Sequence, residues 1–350
     1  MKEKMVIFSA VVVVSAMLIG CAGPAPGGAA PGTAAPAGAP DEAAPPPVQQ
    51  VVNFSIASAF DGGTTMLQAA QAFVDTLYER SDGTLVGTLF PAGVMGGERD
   101  NVEAMQIGEL EMGVFGTFPI VHLTPEYSFF DAPFVFRDGD HYLRVWEGEI
   151  GEAVRGIFSD DHGIRVLGLM GRGYRHITAN TPVTSPDDLV GLRMRMGQSP
   201  PFIDSFTEIG SVVIPIALPE LYTSLQMGVV DGAEGPFDQI YTVGLHEVQD
   251  YLTISGHLFA TSMWLMTERF YNSLSDEHRR LIDEVAAESL ALGTQLSEEA
   301  NDRLLARLQE EGMQVLSIDY IELRRRAMPA IERLFSIDWT VTNQDIIDQY

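Results

Sequence analysis

Along residues 51–115, short apolar runs alternate with longer stretches in which apolar side chains return every three or four positions. Residues 51–56 form one such run and read as a buried strand. Met66, Leu67, Ala70, Phe73, Val74, Leu77 and Tyr78 then share one helical face, which predicts a helix over 64–80 with Asp61 or Thr64 at its N-terminus. A strand over 84–90, a helix over 98–107 and a strand over 111–115 follow. Strands alternating with helices in this way predict an α/β architecture with substantial parallel pairing.

The rhythm continues with one amphipathic helix over 138–159 and a strand over 164–170. Gly171-Arg172-Gly173-Tyr174-Arg175 interrupts it, as a chain leaving one lobe for another would. Segments at 192–196, 201–209, 212–216, 219–227 and 229–233 make a second α/β run, and 258–266 reads as the return crossing. Residues 275–311 predict a single long helix: Asp276 and Glu277 suit its N-terminus, Gly312 closes it, and at 1.5 Å per residue it is about 55 Å long. Gly293 is the place where it would kink. The expectation is a two-lobed α/β fold with a helix laid across both lobes and a cleft able to close on a ligand. One lobe takes 49–172 and about 261–295; the other takes 173–260 and about 296–350.

The first fifty residues follow a different pattern. Lys2 and Lys4 precede an uncharged apolar run over 5–20, the layout of a secretory signal and too short for a comfortable membrane span. It ends in Leu18-Ile19-Gly20-Cys21, which resembles a bacterial lipobox. Cys21 is the one cysteine of the chain and has no partner for a disulfide, so it is the expected lipidation site. Residues 21–48, rich in Ala, Pro and Gly, read as a tether. The folded part is then expected outside the cytoplasm, lipid-anchored at the periplasmic side of a membrane or at the cell surface.

Charge narrows the ligand. The formal net charge is −27, and Lys2 and Lys4 are the only lysines, so every basic side chain beyond the signal is arginine. Such a field excludes nucleic acid as a partner. An acidic protein that binds an anion needs a local arginine cluster to reverse the potential. Catalytic patterns fail in turn. Gly171-x-Gly173 has His176 where a dinucleotide loop needs its third glycine, there is no G-x-S-x-G, and the seven histidines are scattered without H-E-x-x-H. No metal, cofactor or catalytic residue is expected. On the strand over 192–196, Leu192, Met194 and Met196 share one face, and Arg193 and Arg195 share the other. Arg195 is nearer the carboxyl end, where ligands of open α/β sheets gather, and is the better candidate to grip a carboxylate through two parallel hydrogen bonds. Arg193 is better explained by solvent.

The stretch GLRMRM followed by PELYTSLQMGVVDGAEGPF resembles the solute receptors of tripartite ATP-independent periplasmic (TRAP) transporters. LFPAGVMGGERDNVEAMQIGELEMGV, FFDAPFVF, GYRHITANTPVTSPDDLVG and TSMWLMTERFYNSLSDEHRRLIDE extend the likeness in order over nearly everything after the tether. The resemblance implies a periplasmic-binding-protein-like fold that closes on one small organic acid and hands it to separate TRAP membrane subunits for ion-coupled uptake. The alternatives are a receptor feeding a sensor kinase, or an enzyme built on the same fold. The resemblance also implies Arg195 as carboxylate anchor and Arg175 as the second frequent arginine. Gln198 stands where relatives often carry asparagine, and Ser58, Thr117, Leu218 and Gly235 stand at positions that line the cleft in sialic-acid-binding relatives. Phe60, Phe237 and Trp264 follow strand ends and would supply apolar walls, although core packing explains them equally. Gly235 replaces the asparagine of a frequent D-G-x-E-N-P, and Gly116-Thr117 replaces the acidic residue of sialic-acid receptors. These losses disfavour a sialic acid and, with Leu218, favour an apolar or aromatic acid. The D-G-x-E-W pattern of metal-assisted receptors is also absent, and Glu234 reads as a structural partner for a cleft arginine.

Overall fold

A computed structural model describes residues 51–336 and 344–349. The expected signal over 1–20, the lipidation site Cys21 and the tether lie outside the described residues. The first apolar run becomes β1 (Val52–Ala57), which pairs in parallel with β2 (Leu85–Phe90) and β3 (Met112–Phe115). The helices Thr65–Arg80 and Glu98–Ile107 connect them as right-spaced crossovers. Chain order continues through β4 (Ile164–Tyr174), β5 (His176–Ala179), β6 (Arg193–Met196), β7 (Val212–Pro215), β8 (Gly232–Gly235), β9 (Tyr251–Ile254), β10 (Phe259–Thr267) and β11 (Gln314–Ser317). One sheet has the order β2-β1-β3-β10-β4 and the other β11-β9-β5-β8-β6-β7. Both are mixed: β10 runs antiparallel to β3 and β4, and β5 antiparallel to β8 and β9. Two sheets, each with its own helices, make the two-lobed α/β fold.

The crossing differs from its expected form. Gly171 to Tyr174 does not interrupt β4; it prolongs the strand along β10, with a register shift between Ala260 and Thr261. The glycines explain this. A Cβ at Gly171 would lie 2.7 Å from the Phe259 ring, and one at Gly173 would lie 2.7 Å from the Asn301 amide of the long helix. Gly173 also has φ +85°, which an L side chain rarely adopts. Strand therefore passes into strand at Arg175, whose N–H donates to the Leu258 carbonyl at 2.8 Å, so the outgoing and returning crossings are stitched together.

A second difference lies between 138 and 160. Two helices, Gly139–Glu147 and Glu149–Asp160, replace the single helix expected there. Gly148 between them is extended, and Gly151 comes so close to the Trp146 carbonyl that a Cβ would overlap it. Apolar periodicity survives the break because both halves pack the same way, which is why the pattern did not reveal it.

The long helix Asp276–Glu310 is continuous over 35 residues, capped by Ser275, whose hydroxyl accepts from the His278 N–H. Its first half places Ile282, Val285, Ala286 and Leu290 in the core of the first sheet with Phe73, Met170 and Trp264. Its last turns place Leu308 with Leu221, Ile240 and Leu252 beside the second. A third apolar group, containing Phe129, Phe130, Tyr142 and Trp146 together with Phe202, Phe206 and Leu323, packs residues of both sheets into one body. At Gly293 the helix touches its neighbours directly: an added Cβ would overlap the Met170 sulfur and meet Ala69 Cβ at 3.0 Å. Gly293→Val is therefore expected to lower unfolding free energy by about 2 kcal/mol through overpacking, read as a lower urea midpoint at unchanged slope. An unchanged midpoint would show that Met170 yields freely.

Candidate functional site

Between the sheets lies a cavity lined by residues of both. The second sheet supplies its cationic side. β6 ends at Arg195 and Met196, and alternation turns Met194 and Met196 into the core while Arg195 faces the cavity. Arg195 is only 3% exposed, and its Nε donates to the Ile216 carbonyl at 2.9 Å. Among the described residues no carboxylate lies within ion-pair distance of it. Burial pulls this guanidinium down to about 10, which still leaves it charged at neutral pH.

The neighbouring arginines are all paired. Arg175, at the crossing, is gripped by both oxygens of Glu234 on β8, with Nη2 donating to Oε1 at 2.7 Å. Burial alone would raise the Glu234 pKa, but the Arg175 charge and its hydrogen bonds hold it well below the usual carboxylate range. Arg172, 1% exposed, donates to Asp238 at 3.0 Å and covers the Phe60 ring at 4.8 Å. Arg193, expected to serve solvent, is 44% exposed at its side chain and ion-pairs with Asp231.

The first sheet supplies an acidic side. Glu98 opens the helix Glu98–Ile107, and its Oε1 accepts from the Gly116 N–H at 2.7 Å. Asp131 ends a 3-10 turn and accepts from the Thr117 hydroxyl. Ser199 is close to that carboxyl but outside hydrogen-bond geometry. Burial pushes Glu98 up to about 7 despite the Gly116 bond, and the Asp131 charge adds to the rise while Arg175 and Arg172 oppose it. Burial raises Asp131 too. Phe60, Phe118, Phe202 and Leu218 complete the lining with apolar surface.

Six of the residues singled out in the sequence meet here: Phe60, Thr117, Arg175, Arg195, Gln198 and Leu218. Four lie elsewhere. Ser58 is fully buried and donates to the Val114 carbonyl at 2.7 Å. Gly235 ends β8 behind the Gln239 side chain. Phe237 stacks on His176 at 4.5 Å, and Trp264 is sealed in the core edge-on to Phe73 at 5.4 Å. Glu98, Asp131, Phe118, Ser199, Phe202 and Gln239 were not singled out. Asp131, a lone acid inside the apolar run FFDAPFVF, carried a readable signal; the others did not. The lining is also more polar than the losses at Gly235 and Leu218 imply. Among the described residues, no group of three or more His, Cys, Asp or Glu could hold a metal ion.

Two lobes, a cavity between them and a buried arginine with no carboxylate partner among the described residues describe a receptor for a small anion. The chain belongs to the bacterial extracellular solute-binding protein family 7 (DctP), whose family model matches residues 56–335. A solute-binding protein of Verminephrobacter eiseniae is 32% identical over 258 residues, covering 73% of this chain and 76% of that one. A TRAP periplasmic solute-binding protein from Pseudomonas putida F1, solved with bound D-glucuronate, superposes with TM-score 0.79 at 26% identity, covering 85% and 97%. The sugar acid binding protein DctPAm of Advenella mimigardefordensis, solved with galactonate, gives TM-score 0.81 at 26% identity over 85% and 97%. The chain is thus an extracytoplasmic receptor, not an enzyme, that binds a small organic acid and feeds TRAP membrane subunits.

Glu98→Gln tests the electrostatics of the acidic side. It keeps the oxygen that accepts from Gly116 and removes the charge. The folded-state pKa near 7 lies above the ordinary 4.5, so the stabilising contribution of this carboxyl is complete below 4.5 and lost as pH rises through 7. Because the side chain is partly exposed, the loss is about 1–2 kcal/mol. The variant should match wild type at pH 4 and exceed it by that amount at pH 8 in urea unfolding. Parallel pH profiles would contradict the raised pKa.

Proposed function

We propose that Arg195 anchors the carboxylate of the transported acid in the interlobe cavity, and that Arg175, already neutralised by Glu234, braces the lobe crossing and only assists. The observation that carries this reading is the contrast among the arginines: Arg172, Arg175 and Arg193 each have a carboxylate, whereas Arg195 is buried and has none among the described residues. A desolvated guanidinium without a counter-ion is costly to keep, and a ligand carboxylate satisfies it with two parallel hydrogen bonds. The similar receptors that hold D-glucuronate and galactonate support a carboxylate as the shared element. Gln198, Thr117, Phe60 and Leu218 line the same cavity and shape the remainder of the site.

The lobes take 49–172 with about 261–295, and 173–260 with about 296–350. They already touch at the lips, where Gly93 lies over Pro219 so closely that a Cβ would sit 2.5 Å from the proline ring. Ligand closure presents this joined face to the membrane subunits. The Cys21 lipid and the Ala/Pro/Gly tether hold the receptor near them, as the lipobox-like pattern supports.

Charge-assisted hydrogen bonds are worth about 1.5–3 kcal/mol each, so removing the pair predicts at least a 100-fold loss of affinity in Arg195→Ala. Calorimetric titration with the transported acid, or with the best acid of a carboxylate panel, measures it. The melting temperature of the unliganded variant should not fall, because no ion pair is broken. Unchanged affinity would sink the assignment of Arg195.

A further inference from the structure

The interlobe cavity continues into an adjoining hollow. Glu98, Phe118, Arg195, Gln198 and Leu218 line both, and in the hollow they are joined by Arg99, whose side chain is 45% exposed. The other arginines of these two spaces lie deeper: the Arg175 side chain is 16% exposed and Arg195 is 3% exposed. An anion arriving from solvent therefore meets Arg99 before it meets Arg195.

Nothing holds Arg99 tightly. Its Nε donates to Gln198 Oε1 at 3.5 Å, Nη1 lies 3.4 Å from His122 Nδ1 and 4.0 Å from Glu103 Oε1, and the guanidinium sits over the Phe118 ring at 5.4 Å. The contacts with Gln198 and His122 stand near the limit of a hydrogen bond, and the ion pair with Glu103 is exposed on both sides. None of them locks one lobe to the other or cancels the charge. Asp100 shares the hollow, but its Oδ2 is engaged by the Gly97 N–H at 2.8 Å. The chain as a whole carries a formal charge of −27, so an organic anion approaches against its field. A cation at the opening reverses the potential locally, and such a charge acts on the rate of encounter.

We propose that Arg99 is the capture residue of this receptor: it draws the carboxylate of the incoming acid to the mouth and passes it to Arg195. Arg99 then sets the association rate, and the inner site sets the dissociation rate. This rests on Arg195 as the carboxylate anchor and adds the step that precedes it. A latch through Gln198 is the competing role, and it would act on dissociation instead.

The test is stopped-flow fluorescence of the purified wild type, Arg99→Gln and Arg99→Lys. The probe is whichever of D-glucuronate, D-galactonate, pantoate, hexanoate and benzoate the wild type binds tightest. Work at pH 8 keeps His122 neutral throughout, since burial and the Arg99 charge lower its pKa. At about 0.01 M salt, where charges act over about 30 Å, Arg99→Gln should associate about threefold slower or more and dissociate within about twofold of wild type. At about 1 M salt, where the reach falls to about 3 Å, the difference in association should vanish. Arg99→Lys keeps the charge without the guanidinium and should restore the association rate.

An association rate untouched by Arg99→Gln at low salt, or slowed equally at both salts, overturns the capture role. So does faster dissociation in Arg99→Gln that Arg99→Lys does not correct, which is the mark of a latch. If Arg195→Ala abolishes binding while Arg99→Gln is silent, the anchor stands and the capture role falls. Binding that survives Arg195→Ala, or no binding by any of the five acids, overturns both.

Discussion

An arginine kept out of water without a counter-ion is the constraint around which this molecule is arranged. The chain carries a formal charge of −27, and carboxylates are available almost everywhere. Arg172, Arg175 and Arg193 have each taken one. Among the described residues Arg195 has only the Ile216 carbonyl. A carboxylate of the protein beside it would cancel the field that draws an anion into an acidic receptor, so the fold must hold Glu234 firmly on Arg175 instead. It does so with a two-bond grip, and the burial that strengthens the grip also raises the cost of leaving Arg195 unsatisfied. Two carboxyls that line the cavity with it, Glu98 and Asp131, are raised in pKa by burial. Burial that disfavours charge on these two carboxyls weakens the competing negative potential across the cavity and leaves their hydrogen-bonding capacity in place.

The same buried polar groups tie the lobes to one another. Asp238, in the second-sheet helix Phe237–Thr242, accepts from Arg172 on β4 and from the Thr65 hydroxyl of the first-sheet helix Thr65–Arg80. Thr65 in turn meets Ser297 of the long helix at 2.7 Å. One carboxylate thus joins both lobes and the helix that spans them. Arg99 reaches Gln198 across the cavity mouth only at 3.5 Å, and the lip contact of Gly93 is with the apolar ring of Pro219. Strong contacts sit near the crossing and weak ones at the mouth, which is the distribution a hinge-closing receptor requires.

Much of this was legible in the sequence because periodicity and glycine placement are local signals. The strand β6 and its alternation put Arg195 on the cavity side from six residues of sequence, and the long helix declared itself by its length. Two elements misled for physical reasons. Gly148 breaks a helix whose apolar stripe continues across the break, and Gly171 and Gly173 look like a strand end when they are sites of close approach to Phe259 and Asn301. The losses at Gly235 and Leu218 pointed to an apolar site because a sequence shows what a position lacks, not which neighbour fills the gap. Gln239 does so from one turn away, a fact of three-dimensional packing with no linear trace. The acidic side of the cavity escaped for a similar reason: Glu98 and Asp131 are far apart in sequence and gain their meaning only by facing Arg195.

The central claim is that the charge on the ligand, and not merely its shape, is held by Arg195. An acid and its neutral amide of equal size separate these directly: the best-binding acid of a carboxylate panel and its primary amide, titrated under identical conditions into the wild-type protein. The acid should bind about 100-fold tighter or more, since the amide forfeits both charge-assisted bonds. Equal affinity for acid and amide would contradict it.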